Sequence, residues 1–134
     1  MIFLLFAAAW AAPSLEELKK VDFSIVVKDA KARPAPEERC FFRPEVNQAL
    51  MRVQQRLRLV QLGLQVDKCY RPSDAQFGKG AAVAVAPAKV QKGARLALNK
   101  AMLAEGFKEK GKGIFLHETW DKSPVESVPV AELP

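Results

Sequence analysis

Histidine occurs once in this chain of 134 residues, at His117, and cysteine twice, at Cys40 and Cys69. One histidine cannot build a His-rich metal site or a catalytic set that needs two imidazoles. Two cysteines are too few for a disulfide scaffold or a four-cysteine zinc site. A membrane-spanning run is missing too: residues 2–12 (IFLLFAAAWAA) are apolar and uncharged, yet a spanning helix needs about 20 such residues. No internal repeat, low-complexity tract or nucleic-acid-binding motif is present. What is there reads as an ordinary globular domain, with 49% hydrophobic and 27% charged residues. A chain of this size favours one domain, and it buries roughly two-thirds of its unfolded surface, so it needs no metal or disulfide merely to fold. The charge balance is basic, 21 Lys and Arg against 15 Asp and Glu, or +6.

The pattern along the chain predicts an α+β domain, a mainly antiparallel sheet with two packed helices. Residues 1–11 match the apolar core of a signal peptide, with Ala9-Trp10-Ala11 as the small-x-small cleavage pattern and the cut after Ala11. The basic segment that usually precedes such a core is absent, and the plainer reading is a buried N-terminal helix. Residues 23–27 (FSIVV) form a candidate first strand, and 28–39, with Pro34 and Pro36, a loop. Pro44 opens a helix that Gly63 stops. Within it Val46, Ala49, Leu50, Val53, Leu57 and Val60 make one apolar stripe, opposite Arg52, Gln55, Arg56 and Arg58. No aromatic residues interleave with these arginines, so a solvated basic face is expected and nucleic acid is not. A half-buried strand follows at 64–70, a turn around Gly78 and Gly80, an inner strand at 82–86, a second helix at 88–105 closed by Gly106, and a last strand at 113–117. The expected order is β-α-β-β-α-β. Residues 121–134 read as a loose tail.

Several short motifs in this order carry a resemblance. Ser24-Ile25-Val26-Val27, Arg39-Cys40, Phe42-Arg43-Pro44-Glu45-Val46, Ala49-Leu50, Val53-Gln54, Leu62-Gly63-Leu64-Gln65-Val66 and Cys69-Tyr70-Arg71-Pro72 resemble the N-terminal half of the zinc D-alanyl-D-alanine dipeptidases, the VanX-like enzymes of the bacterial envelope. More weakly, Gly80-x-Ala82-Val83 resembles the centre of their zinc motif, and Ala101-Met102 to Gly106-Phe107 their last helix. The similarity covers roughly residues 21–120 and implies a dipeptidase-like domain over 12–120, in truncated form. It also implies a Cys40–Cys69 disulfide, worth about 3–4 kcal/mol by loop closure, and export to the periplasm or outside. Two reduced, buried cysteines are the plainer alternative.

The catalytic positions depart from the family. Its zinc motif has the form S-x-H-x-x-G-x-A-x-D. Here Phe77 stands at the His place and Ala84 at the Asp place. Its E-x-x-H motif keeps His117 but has Ile114 where the general base belongs, with Glu118 out of register. Lys68 occupies the place of a further Asp, and Asp67 is displaced by one. Phe77 and Ala84 offer no lone pair to a metal that needs about three protein ligands, and Ile114 cannot accept a proton from water. No catalysis and no cofactor are therefore expected, with zinc only if the family activity is retained. Arg71 matches a family arginine that resembles an electrostatic stabiliser, and its fork suits a terminal carboxylate; pairing with an acid such as Asp74 is the plainer role. The expected function is a non-hydrolytic, dipeptidase-like envelope protein that binds peptidoglycan-type peptides. One rival is an active metallo-dipeptidase with rearranged ligands, drawn from His117, Glu118 and Asp121. Another is a basic surface protein without a peptide pocket. Its cluster Lys89, Lys92, Arg95, Lys100, Lys108, Lys110 and Lys112 would then meet anionic wall polymers or lipid head groups, with Lys108, Lys110 and Lys112 in a glycine-rich loop.

Overall fold

The computed structural model describes residues 18–28 and 40–133, so the signal-peptide reading of residues 1–11 lies outside the described residues. The chain forms β1 (Lys19–Lys20), β2 (Val26–Val27), β3 (Phe41–Phe42), α1 (Pro44–Arg58), β4 (Leu64–Lys68), β5 (Ala82–Pro87), α2 (Ala94–Ala104), β6 (Phe107–Gly111) and β7 (Ile114–His117). Five strands make one sheet in the order β2-β4-β5-β7-β6, and β1 pairs with β3 in a separate ribbon. Only β2 and β4 run parallel; all other pairs are antiparallel. This is the expected α+β class, a mainly antiparallel sheet carrying two helices.

The core lies between one sheet face and the helices. Val46, Ala49, Leu50, Val53 and Leu57 of α1 and Leu98, Ala101 and Met102 of α2 pack with Leu64, Val66, Val83, Val85 and Phe115. Alternation along the strands leaves Gln65, Ala84, Ala86, Ile114 and Leu116 on the other face, where they are only half-buried. Gln54 locks the layers together: its Oε1 accepts from Leu64 N (2.8 Å) and its Nε2 donates to Ser24 O (3.0 Å).

Several boundaries differ from expectation. Helix α1 ends at Arg58, short of Gly63. Leu62 N donates to Leu57 O and Gln61 N to Arg58 O, with Gln61 at φ 61°. That is a Schellman-type stop in which Gln61, with no glycine available, takes the left-handed position. Gly63 serves instead to let Ala88 approach, for a Cβ there would meet Ala88 Cβ at 3.2 Å. Residues 88–93 are not helical: Ala88 N is drawn to Gly63 O, and α2 starts only after Gly93, at φ 81°. The first strand shrinks to Val26–Val27 because Asp22 Oδ1 captures Ser24 N (2.8 Å) and turns the chain. The glycine-rich loop around Lys108 and Lys110 is the edge strand β6, hairpinned to β7.

Residues 121–133 have neither a long helix nor a strand, yet they are tied down. Ser73 N donates to Glu126 O and Glu126 N to Gly78 O, both at 2.7 Å, and Tyr70 Oη donates to Val128 O (2.8 Å). Val130 and Leu133 then cover Leu18, Phe41 and Tyr70.

Cys40 and Cys69 form a disulfide, 29 residues apart in sequence, that joins the ribbon strand β3 to the end of β4. Replacing both by Ala is expected to cost about 3–4 kcal/mol in urea unfolding. A loss under 1 kcal/mol would mean that packing alone holds these two strands.

Candidate functional site

Three of the positions that the resemblance singles out, Lys68, Ala84 and Ile114, meet on the half-buried sheet face. Lys68 pairs with Ala84 across β4 and β5, and Ala84 with Ile114 across β5 and β7. The Lys68 ammonium lies 5.5 Å from the centre of the Phe77 ring, a cation–π contact. Phe77 itself is buried, in a 3₁₀ turn over Phe77–Lys79. Asp74 builds that turn: its Oδ1 accepts Phe77 N (2.7 Å) and Gln76 N (2.8 Å). The hydrogen bond from Phe77 does most to hold the Asp74 carboxyl below its usual range; burial opposes it, and the Gln76 bond and the charges of Arg71 and Lys68 assist. Arg71, half-buried, follows β4 and gives its backbone N–H to Phe77 O (3.3 Å). Lys68 thus stands between the Phe77 ring and Ala84, with Ile114 next across the sheet, while the Arg71 charge acts on Asp74.

His117 is on the opposite face. It pairs with Phe107 of β6 and shares its side of β7 with the core residue Phe115. Its ring stands edge-on to Phe107, centroids 5.1 Å apart. Thr119 N donates to Nδ1 (3.3 Å) and Thr119 Oγ1 lies 2.8 Å from the same atom. Nδ1 therefore carries the lone pair, and the neutral ring keeps its proton on Nε2. Strand alternation is the reason His117 parts from Ile114: residues three apart on a regular strand point to opposite sides.

His117, Glu118 and Asp121 do share a cleft, of about 400 Å³, with Phe107, Lys108 and Trp120. Among the described residues, however, no three His, Cys, Asp or Glu side chains converge as they would around a metal ion. Glu118 folds back over Gly106, where a Cβ would lie 3.0 Å from its Oε2. The anionic-polymer cluster is dispersed: Lys108 and Lys110 lie on β6, Lys112 in the hairpin turn, Lys89 and Lys92 in the loop before α2. Arg95 donates to Val85 O (3.3 Å). Lysines on an exposed edge strand guard against pairing with other chains, which accounts for Lys108 and Lys110 without a ligand.

Arg43 was not among the candidate residues, yet it holds the Phe77 turn. Fully buried, it donates from Nε to Lys79 O (2.6 Å) and from Nη2 to Pro124 O (3.2 Å), and it pairs with Glu126 (3.3 Å). Nothing local in the sequence separates this arginine from a solvated one; its partners are 36 or more positions away.

Comparison of the chain with protein-family models, with curated proteins and with solved structures finds no match.

Burial pulls the His117 pKa below its ordinary 6.5; Glu118 works against this and Arg52 reinforces it. The unfolded chain therefore takes up the proton first. Stability from this source is complete above about pH 6.5 and falls as pH drops from there to the folded pKa. Carboxylate losses come lower, since Asp22, Asp74 and Glu105 are all held below their ordinary values. Urea unfolding between pH 7.5 and 5 should show this slope, and His117→Gln should flatten it. An unchanged slope in the variant would assign it to another group.

Proposed function

We propose that this chain is an exported relative of the zinc D-alanyl-D-alanine dipeptidases that has lost hydrolysis, and that it binds the D-Ala-D-Ala end of peptidoglycan-type peptides. The observation that carries the reading is the meeting of Lys68, Ala84 and Ile114 on one sheet face, with the Phe77 ring against the Lys68 ammonium. These are the places where the resemblance expects an Asp, the two first zinc ligands and the general base. Their adjacency across three strands is what a shared ancestral site requires. Their side chains do not fit zinc. Phe77 and Ala84 carry no donor atom, and His117 lies on the other face.

What remains suits binding. Ala84 and Ile114, both half-buried, offer apolar contact for alanine methyl groups. Arg71 follows β4, and a guanidinium fork matches a terminal carboxylate in two hydrogen bonds; the Lys68 charge stands on the same face as Ala84. Export is supported by the Cys40–Cys69 disulfide, a bond that persists in oxidising compartments. Among the described residues no helix is long and apolar enough to cross a membrane.

The zinc content of the purified, dialysed protein is expected to be far below one per chain, with no D-alanine released from D-Ala-D-Ala. By calorimetry, an N-acyl-D-Ala-D-Ala peptide should bind more tightly than its L-Ala-L-Ala counterpart. Arg71→Gln should weaken that binding about tenfold, the worth of one charged hydrogen bond. One tightly held zinc per chain, or D-alanine release, would overturn the loss of hydrolysis. Equal affinity for the two peptides would overturn the ligand.

A further inference from the structure

On the far side of the molecule, α1 turns two arginines outward. Arg52 and Arg56 are four residues apart, neighbours on one helix face. Each directs Nε to one oxygen of the same carboxylate, Glu105 at the end of α2, at 2.6 Å. The carboxylate is only 10% exposed, while both arginine side chains are 52% exposed. Burial opposes ionisation of Glu105, but the hydrogen bonds from Arg52 and Arg56 outweigh it and hold the carboxyl below its ordinary value. The pair is thus anchored through Nε, with about half of each side chain open to solvent. One carboxylate balances only one of the two guanidinium charges.

Beside this pair opens a cleft of about 440 Å³, lined by Lys19, Lys20, Gln48 and Arg52 among others. Among the described residues its one acid is Asp22, which already accepts Ser24 N. Arg56, Arg52 and Lys20 make a run of cations from α1 to β1. An arginine normally loses rotamer freedom when it is fixed on a ligand. Here Glu105 has removed much of that freedom in advance, which is how preorganisation raises affinity.

We propose that the Arg52–Arg56 pair and the adjoining cleft bind a flexible, phosphate-bearing polyanion, the arginine forks taking successive phosphate groups and Lys20 the next. Phosphate fits because guanidinium forks match its oxygens in paired hydrogen bonds, and a polymer fits because the cations form a row. This does not rest on the dipeptidase reading, since no residue is shared with that site.

The test is titration with linear polyphosphate of defined length at low and moderate salt, each variant checked by thermal melting. The intact protein should bind, less tightly as salt rises. Arg52→Gln with Arg56→Gln should lose about tenfold or more, by loss of charged hydrogen bonds. Lys108→Gln with Lys110→Gln removes as much charge from the β6 edge and should change affinity less than about threefold, as expected of distant surface charges. Glu105→Gln raises the net charge yet leaves the two forks poorly anchored. It should weaken binding, as should Arg52→Lys with Arg56→Lys, which keeps the charge but not the forks. Equal losses in the Arg and Lys double Gln variants, or tighter binding by Glu105→Gln, would show that bulk charge alone acts and overturn the proposal. So would binding to anionic vesicles without binding to free polyphosphate.

Discussion

A buried guanidinium sets the terms for the rest of this structure. Arg43 has no solvent exposure, and moving such a charge out of water costs several kcal/mol unless partners replace the water. The replacements come from two distant places: Lys79 O at the end of the Phe77 turn, and Pro124 O with Glu126 in the C-terminal stretch. Nη1 finds none, so the partners that exist cannot be given up cheaply. Arg43 N also donates to Gly80 O, and Gly80, at φ 69°, has Leu18 Cδ2 within 2.6 Å of where a Cβ would be. The start of α1, the Phe77 turn and residues 124–126 are consequently one unit. Removing either side of the Arg43–Glu126 pair would leave a charge short of partners, which is more costly than never having had the pair.

The same unit places Phe77. Phe77 can lie beneath Lys68 because Asp74 caps its turn from one side and Arg43 grips Lys79 O from the other. Trp120 adds a third hold: its Nε1 donates to Gln76 O (2.9 Å), and the Lys79 ammonium sits 3.7 Å from its ring centre. The geometry of the candidate site is thus inherited from polar contacts that lie outside it. Loop residues held at this many points are rigid elements on which a ligand can be received with little ordering cost.

How much of this was legible follows physical range. The stripe from Val46 to Leu57 announced α1 because helical periodicity is local, and Pro44 marked its start for the same reason. Its end is not marked by Gly63, because Gln61 accepts the left-handed conformation once the Leu62–Leu57 bond is made. The start of α2 was put too early because nothing local shows that Ala88 is held by Gly63 across a chain reversal. Strand β6 was hidden because Phe-Lys-Glu-Lys-Gly has one apolar residue; an edge strand needs only a partner's backbone. The meeting of Lys68, Ala84 and Ile114 on one face is set by strand register, which no local pattern reports. Nor was the face of His117 legible, because side is decided by β7 alternation and by Phe107 opposite.

Replacing a metal site by apolar side chains need not cost a fold its stability. Clustered ligand side chains oppose folding until a metal arrives, and natural sites often trade stability for activity. Phe77, Ala84 and Ile114 impose no such opposition: they carry no charge to be crowded together, and the one ammonium beside them, Lys68, rests on a ring. On the proposed reading, a lineage that no longer needed hydrolysis would meet little resistance in taking up these residues. It would keep Arg71, whose backbone helps close the Phe77 turn whether or not its side chain meets a ligand. The distinction between a retained clamp and a retained turn therefore lies in the guanidinium alone, and a change confined to that group is the one that separates them.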